Sequence, residues 1–423
     1  MKRAVLIILF VFNAFLSAVP GDLLWRAKTD AFIYSSPFVS AQVVYIGSFD
    51  TNIYALNAID GELLWKYKTD ASVWSSPFVL NGTVYVGSWD TYLYAINSSD
   101  GSLKWRYKAD SWIYSSPYAD DEKVYFGTRD DFYINAVYCN DGNLKWQYKT
   151  GYYVYSSPYV LDGVTYCGSA DGYLYALNSD NGTLNWRYQV GYYVESSPYV
   201  SEGTVYIGSF DTNLYAINCS DGSLKWKYKT DGFIYSRPFQ IDSTAYVGSI
   251  DWYLHAVNSE NGSFKWKYQT GYAVQSSPYV TDGIVYFGSL DNGFYALDAI
   301  NGSIRWRYMT DGRIYSSPYV ADGIAYIGSY DTYVYAIETF GFNGFRSKEL
   351  SRSIPSTSFS ISPNPFSSRL SISLPSSGAV YSLTGQLIMK LDKGKHSLDT
   401  SKWREGVYIV KSGKDCKRVV KIR

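Results

Sequence analysis

Residues 55–65 read Ala55-Leu56-Asn57-Ala58-Ile59-Asp60-Gly61-Glu62-Leu63-Leu64-Trp65, and the same frame returns along most of the 423-residue chain. Tryptophans stand at Trp25, Trp65, Trp105, Trp146, Trp186, Trp226, Trp266 and Trp306, in steps of 40 residues with a single step of 41. A Ser-x-Pro column follows each tryptophan, from Pro37 to Pro318, and then a Gly-Ser/Thr-x-Asp column, from Asp50 to Asp331. The longer step comes from an insertion within Asp131–Asn135. Repetition at a fixed period outranks a domain count based on length, because each repeat is one unit that cannot bury its apolar face alone.

In the second unit the pattern places strands at Val73–Val79, Thr83–Gly87, Tyr92–Asn97 and Leu103–Lys108. They alternate apolar and polar residues or are rich in Tyr, Val and Ile. Asn81-Gly82 and Asp100-Gly101 fall between them, and such pairs supply the positive-φ positions of tight hairpin turns. A four-stranded meander cannot bury both faces by itself, whereas copies stacked around an axis can. The ends of the array decide how many copies there are. Seven units pair an alanine with a tryptophan ten residues later, but Trp25 lacks an upstream alanine and Ala336 lacks a downstream tryptophan. The two orphans are halves of one unit. The expected fold is therefore all-β, an eight-bladed β-propeller of four-stranded antiparallel blades. Leu23–Lys28 closes it by pairing with Tyr333–Ile337, which removes an exposed edge strand.

The turn frame has alanine, then Asn or Asp two residues on, Gly six on and Trp ten on. It resembles the tryptophan-docking motif of pyrroloquinoline-quinone (PQQ) repeats, with departures such as Tyr138 at the Asn position of one unit. The resemblance covers residues 21–338 or so and points to the PQQ-like propeller superfamily, which includes quinoprotein dehydrogenases and the assembly lipoprotein BamB. The paired Gly-His and Trp-Asp marks of WD40 repeats are missing, Trp89-Asp90 being an isolated match. The eight frame tryptophans are expected to be structural docking plates between blades. The resemblance also implies that the Ser-Ser-Pro strand is innermost in each blade.

Four segments are expected: a signal peptide at 1–18, the propeller at 19–340, a linker at 341–358 and a sorting domain at 359–423. Lys2 and Arg3 precede an apolar run from Ala4 to Phe15, with small residues at Ser17 and Ala18, which is the layout of a secretory signal. At the other end stand Pro363-Asn364-Pro365-Phe366, Tyr381-Ser382-Leu383-Thr384-Gly385-Gln386 and Gly406–Lys411, then Lys417–Lys421. This order resembles the type A C-terminal sorting domain of the type IX secretion system. It implies a small β-sandwich, contact with that secretion machinery, and delivery to the outer surface or beyond. Strands are expected at Leu370–Leu374, Gly378–Leu383, Leu387–Leu391 and Gly406–Lys411.

Lysine plus arginine and aspartate plus glutamate number 38 each, so there is no electrostatic footprint for nucleic acid. No segment after the leader could span a membrane as a helix. Cys139, Cys167, Cys219 and Cys416 form no CxxC pair, and their three full pairings stay open. Two histidines argue against a His-based metal site.

Just before Ser-Ser-Pro lies a variable column: Tyr34, Trp74, Tyr114, Tyr155, Glu195, Tyr235, Gln275 and Tyr315. Alternation puts it on the strand face of Ser36 and Ser76. It can then ring the central channel as a ligand-binding rim, or pack between blades. The units are nearly uniform, broken only by substitutions such as Arg129, Glu195, Arg237, His255, Gln275 and Arg313. These form no acid–base or nucleophile set, so no catalytic residue is expected. Neither a metal nor a cofactor is expected. The column aspartates lack the clustered carboxylates of a Ca²⁺ site, and the vicinal disulfide common in PQQ enzymes is missing. The expected protein is a secreted or cell-surface bacterial binding or scaffold module, monomeric, with an extracellular protein or glycan as partner. The alternatives are a PQQ-dependent dehydrogenase and a BamB-like outer-membrane assembly factor.

Overall fold

A computed structural model describes residues 19–339 without interruption, and residues 360–362, 369–374, 377–382, 387–392, 394–400, 406–412 and 415–421 beyond them. The expected signal peptide and linker lie outside the described residues. The chain divides into two compact units, Met1–Gly341 and Phe342–Arg423.

The first unit holds eight four-stranded antiparallel sheets, each built from strands in sequence order except the last. The second blade runs Phe78–Leu80, Thr83–Gly87, Tyr92–Asn97 and Leu103–Lys108. Its last three strands lie where the pattern places them, and the first is shorter than Val73–Val79. Pro77 has no N–H to give to a ladder. The residues before it satisfy their neighbours through hydroxyls instead: Gly87 N donates to Ser75 Oγ at 3.1 Å, and Ser76 N donates to Ser116 Oγ of the next blade at 2.9 Å. The short first strands of successive blades touch one another, so they line the axis.

The eighth blade joins Tyr319–Ala321, Ile324–Gly328 and Tyr333–Glu338 to the leading strand Leu23–Lys28. Trp25 stands opposite Ala336, with a bulge between Leu23 and Trp25. Trp65 stands opposite Ala55 in the first blade with the bulge in the same place. Even the interrupted turn is rebuilt without a covalent link. Gly21 N donates to Glu338 O at 2.8 Å, and Glu338 N donates to Asp22 O at 2.9 Å. The intact turn makes the same two bonds, Gly61 N to Asn57 O at 2.9 Å and Asn57 N to Glu62 O at 2.8 Å.

Adjacent blades interlock through glycine. A Cβ on Gly47 would stand 2.4 Å from Val73 Cγ1 of the next blade, and one on Gly328 would stand 2.2 Å from Ile33 Cγ2 across the closure. The glycine column is thus a row of holes filled by the neighbour's Val or Ile. Each frame tryptophan tilts against a tyrosine of its own blade, as Trp65 does on Tyr45 with centroids 5.8 Å apart. The turn glycine of the following blade packs beneath the indole: a Cβ on Gly61 would lie 2.6 Å from Trp25. Trp25 Nε1 also donates to Ala58 O of that blade at 3.0 Å. Six further indoles repeat this bond, but Trp306 Nε1 is buried without an acceptor. The apolar core is accordingly a series of clusters that straddle pairs of blades, Tyr45 and Ile53 packing with Val73, Val84 and Tyr94 for example.

The column aspartates serve their own turns. Asp50 accepts from Asn52 N at 2.9 Å, from Tyr54 Oη at 2.7 Å and from Asp30 N at 2.9 Å. His255 takes the tyrosine's place in the sixth blade, its Nε2 lying 2.9 Å from Asp251 Oδ2. Cys139, Cys167 and Cys219 are free thiols, and the side chain of Cys416 lies outside the described residues.

The second unit has one sheet of Ser360–Ser362, Arg369–Leu374 and Gly394–Asp399. The other holds Leu387–Leu391, Gly378–Ser382, Gly406–Ser412 and Asp415–Lys421. Leu370 and Ile372 of the first share a core with Val380, Leu391 and Val410 of the second. Ser360–Ser362 and Gly394–Asp399 were not anticipated, since both are short and mostly polar. Among the described residues no helix is long and apolar enough to cross a membrane.

Candidate functional site

The inner segment of each blade presents three alternate residues toward the axis, such as Tyr34, Ser36 and Phe38, so eight blades stack three tiers of side chains. The first tier is the variable column. Tyr34, Trp74, Tyr114, Tyr155, Glu195, Tyr235, Gln275 and Tyr315 all line one cavity of about 570 Å³ at the channel mouth, together with seven column serines and Tyr330. The aromatic members also pack against neighbouring rings.

The aromatic members form a continuous arc. From Tyr315 through Tyr34, Trp74, Tyr114, Tyr155, Tyr153, Tyr193 and Phe210 to Tyr235, each ring centroid lies 3.6–6.2 Å from the next. Phe32, Trp112, Tyr192 and Phe233 continue it outward, between 38% and 50% exposed. The arc stops at the seventh blade, where Ala273, Gln275 and Leu290 replace aromatic residues. Tyr153, Tyr193, Phe210 and Tyr330 were missed as site residues. They belong to two further variable columns, two residues before the first tier and between Ser and Asp of the turn.

Glu195 is the single carboxylate lining the cavity. Burial raises its carboxyl to about 7, and no ion pair reaches it among the described residues. Arg129 lies over Trp112 and Tyr114 at 5.0 and 5.5 Å from their centroids and 3.5 Å from Asp130. Arg313 lies over Tyr272 at 5.8 Å.

The second tier is a belt of serines, and the third is a ring of aromatic residues that sequence reasoning overlooked. Phe38, Phe78, Tyr118, Tyr159, Tyr199, Phe239, Tyr279 and Tyr319 form a closed circle with centroid steps of 5.0–6.3 Å. Its signal was present as the residue after each column proline. Among the described residues no three His, Cys, Asp or Glu side chains are grouped to hold a metal ion.

Five overlapping stretches, 14–79, 70–190, 135–232, 193–278 and 273–343, match a repeat family described as outer membrane protein assembly factor BamB. Residues 360–422 match the secretion system C-terminal sorting domain. No curated protein matches the chain by sequence. Among solved structures, BamB from Moraxella catarrhalis superposes with a TM-score of 0.67 at 18% identity, covering 75% of this chain and 99% of its own. The computationally designed Ika8 protein gives 0.68 at 16%, covering 75% and 100%. A europium-containing methanol dehydrogenase gives 0.63 at 14%, covering 74% and 86%. At these identities the likeness is one of fold, shared by an assembly factor, a designed protein and an enzyme.

Proposed function

The chain belongs to the BamB-type family of PQQ-like propeller repeats and carries a secretion sorting domain, and from that premise we propose that it is an exported, non-catalytic binding or scaffold module. Its aromatic channel mouth takes an extracellular glycan or protein. The observation that carries this reading is the unbroken arc of rings from Tyr315 to Tyr235 around a cavity of about 570 Å³. Rings already fixed by their neighbours lose little freedom on binding, and their faces suit sugar rings and peptide groups alike. The gap at the seventh blade makes the mouth asymmetric, so a ligand can be held in one orientation. The sorting domain supports passage through a type IX system to the cell surface or the medium.

The donor set does not fit a metal-bound quinone. A bound Ca²⁺–PQQ pair asks for several converging carboxylate and amide oxygens, whereas the cavity lining holds one carboxylate, Glu195, drawn toward its neutral form, and one amide, Gln275, beside neutral hydroxyls.

The test is a glycan-array and protein pull-down screen of the full chain, repeated with Trp74→Ala and Tyr114→Ala. Each variant is expected to weaken the interaction by about tenfold or more. A partner held unchanged by both variants refutes the mouth as the binding surface. A tight, stoichiometric absorbance change on titration with PQQ and Ca²⁺ overturns the non-catalytic reading.

A further inference from the structure

The second tier is broken at one position, Arg237. Seven blades carry serine at this level, and their hydroxyls form a belt. Ser36 N donates to Ser76 Oγ at 2.8 Å, and the bond is handed on until Ser317 N reaches Ser36 Oγ at 2.8 Å. Arg237 keeps its own donation, N to Ser277 Oγ at 2.9 Å. It has no hydroxyl to accept from Ser197 N of the fifth blade; beside the break, Ser196 Oγ donates to Ser236 O at 2.8 Å. The substitution therefore breaks the belt once and introduces a charge.

That charge sits in an unusual place. From the sixth blade the guanidinium reaches Tyr199 of the fifth, 5.1 Å from the centroid, and Tyr159 of the fourth, 4.9 Å away. A side chain that passes one neighbour to lie over the next must extend into the lumen, at the tier of the closed aromatic circle. No carboxylate among the described residues is within ion-pair distance of it. Its Nε is buried and has no hydrogen-bond partner. The two ring faces return part of the lost solvation, yet an enclosed cation without an anion remains costly. Burial accordingly holds the guanidinium below the ordinary arginine range.

We propose that Arg237, flanked by Tyr159 and Tyr199, is a binding site for a carboxylate monoanion entering the channel. The unpartnered Nε–H and its neighbouring N–H make a planar fork that matches two carboxylate oxygens. Aromatic walls favour a monoanion over phosphate, because a dianion costs more to strip of water.

The full chain is melted at constant ionic strength in sodium acetate, sodium phosphate or sodium chloride, beside Arg237→Ser and Arg237→Gln. Acetate is expected to raise the melting temperature saturably by about 2–4 °C over chloride, and both variants are expected to lose that response. Arg237→Ser completes the belt and is expected to melt above the parent in chloride. The site is refuted by a parent that shows no saturable acetate effect, by an effect that survives in both variants, or by Arg237→Ser melting lower in chloride. A phosphate response exceeding that of acetate overturns the carboxylate assignment. None of these readouts uses the aromatic mouth, so the outcome is independent of the Trp74 and Tyr114 tests.

Discussion

In seven of the eight blades the residue after the turn aspartate enters the left-handed region, and in the third, with its insertion, Phe132 does. Thr51, Thr91, Thr212 and Thr332 hold φ between 73° and 77°, where a β-branched residue is strained. The fourth unit shows the relaxed solution, Gly172 at φ 86°. Thr91→Gly is expected to stabilise the protein by about 0.5–1 kcal/mol, the released strain outweighing the added freedom of the unfolded chain. Chemical denaturation measures it, and a loss of stability refutes the strain. Glu195 makes a pH prediction. Its folded carboxyl titrates near 7, above the ordinary 4.5. Between these values the folded state binds the proton more tightly than the unfolded one, so stability falls as pH rises through that window and stays low above it. Glu195→Gln is expected to melt higher than the parent at pH 8 and alike below pH 4.5. The gain is at most about 3 kcal/mol, and smaller where channel water screens the charge. A parent melting point that is flat across the window and unchanged by the substitution refutes the buried carboxyl.

At the level of strands and turns, sequence pattern was a good guide wherever a contact stays within one blade. Thr83–Gly87, Tyr92–Asn97 and Leu103–Lys108 all fall on their expected residues, because alternation and Asn-Gly or Asp-Gly turns are local signals. The innermost strand was overextended at Val73 since its polar groups are met by hydroxyls of its own and the next blade, an arrangement with no period of its own. The serine belt and the circle from Phe38 to Tyr319 went unseen for the same reason: each member is one residue per unit, and only the ring brings them together. The first-tier column could be picked out because it varies where its neighbours do not. Interblade glycine is the sharpest case. A Cβ on Gly127 would come 2.3 Å from Val154 Cγ1 and 2.9 Å from the Val154 carbonyl oxygen. Gly127→Ala is expected to cost about 1–3 kcal/mol, whereas Gly163, with nothing within 4 Å of its Cβ, pays only for its positive φ of 76°. Denaturation midpoints of the two alanine variants check the difference, and equal losses refute the hole-filling account.

Over the whole ring, the leading strand is the clasp. Removal of 21–29 strips the eighth blade of its outer strand, exposes the third strand Tyr333–Glu338, and takes Trp25 off Gly61 of the first blade. The truncated protein is expected to melt at least about 10 °C lower than the full chain, followed by circular dichroism. Coincident melts refute the clasp. Nothing in that joint, however, distinguishes one molecule from another. Alignment, bulge, turn bonds and glycine contact would be met equally well by the leading strand of a second chain. At high concentration, a molecule caught before closure can lend its first strand to a neighbour and borrow one in return, giving exchanged dimers or longer open strings. The joint that completes a solitary ring therefore makes polymerisation its characteristic error, favoured wherever many copies fold side by side.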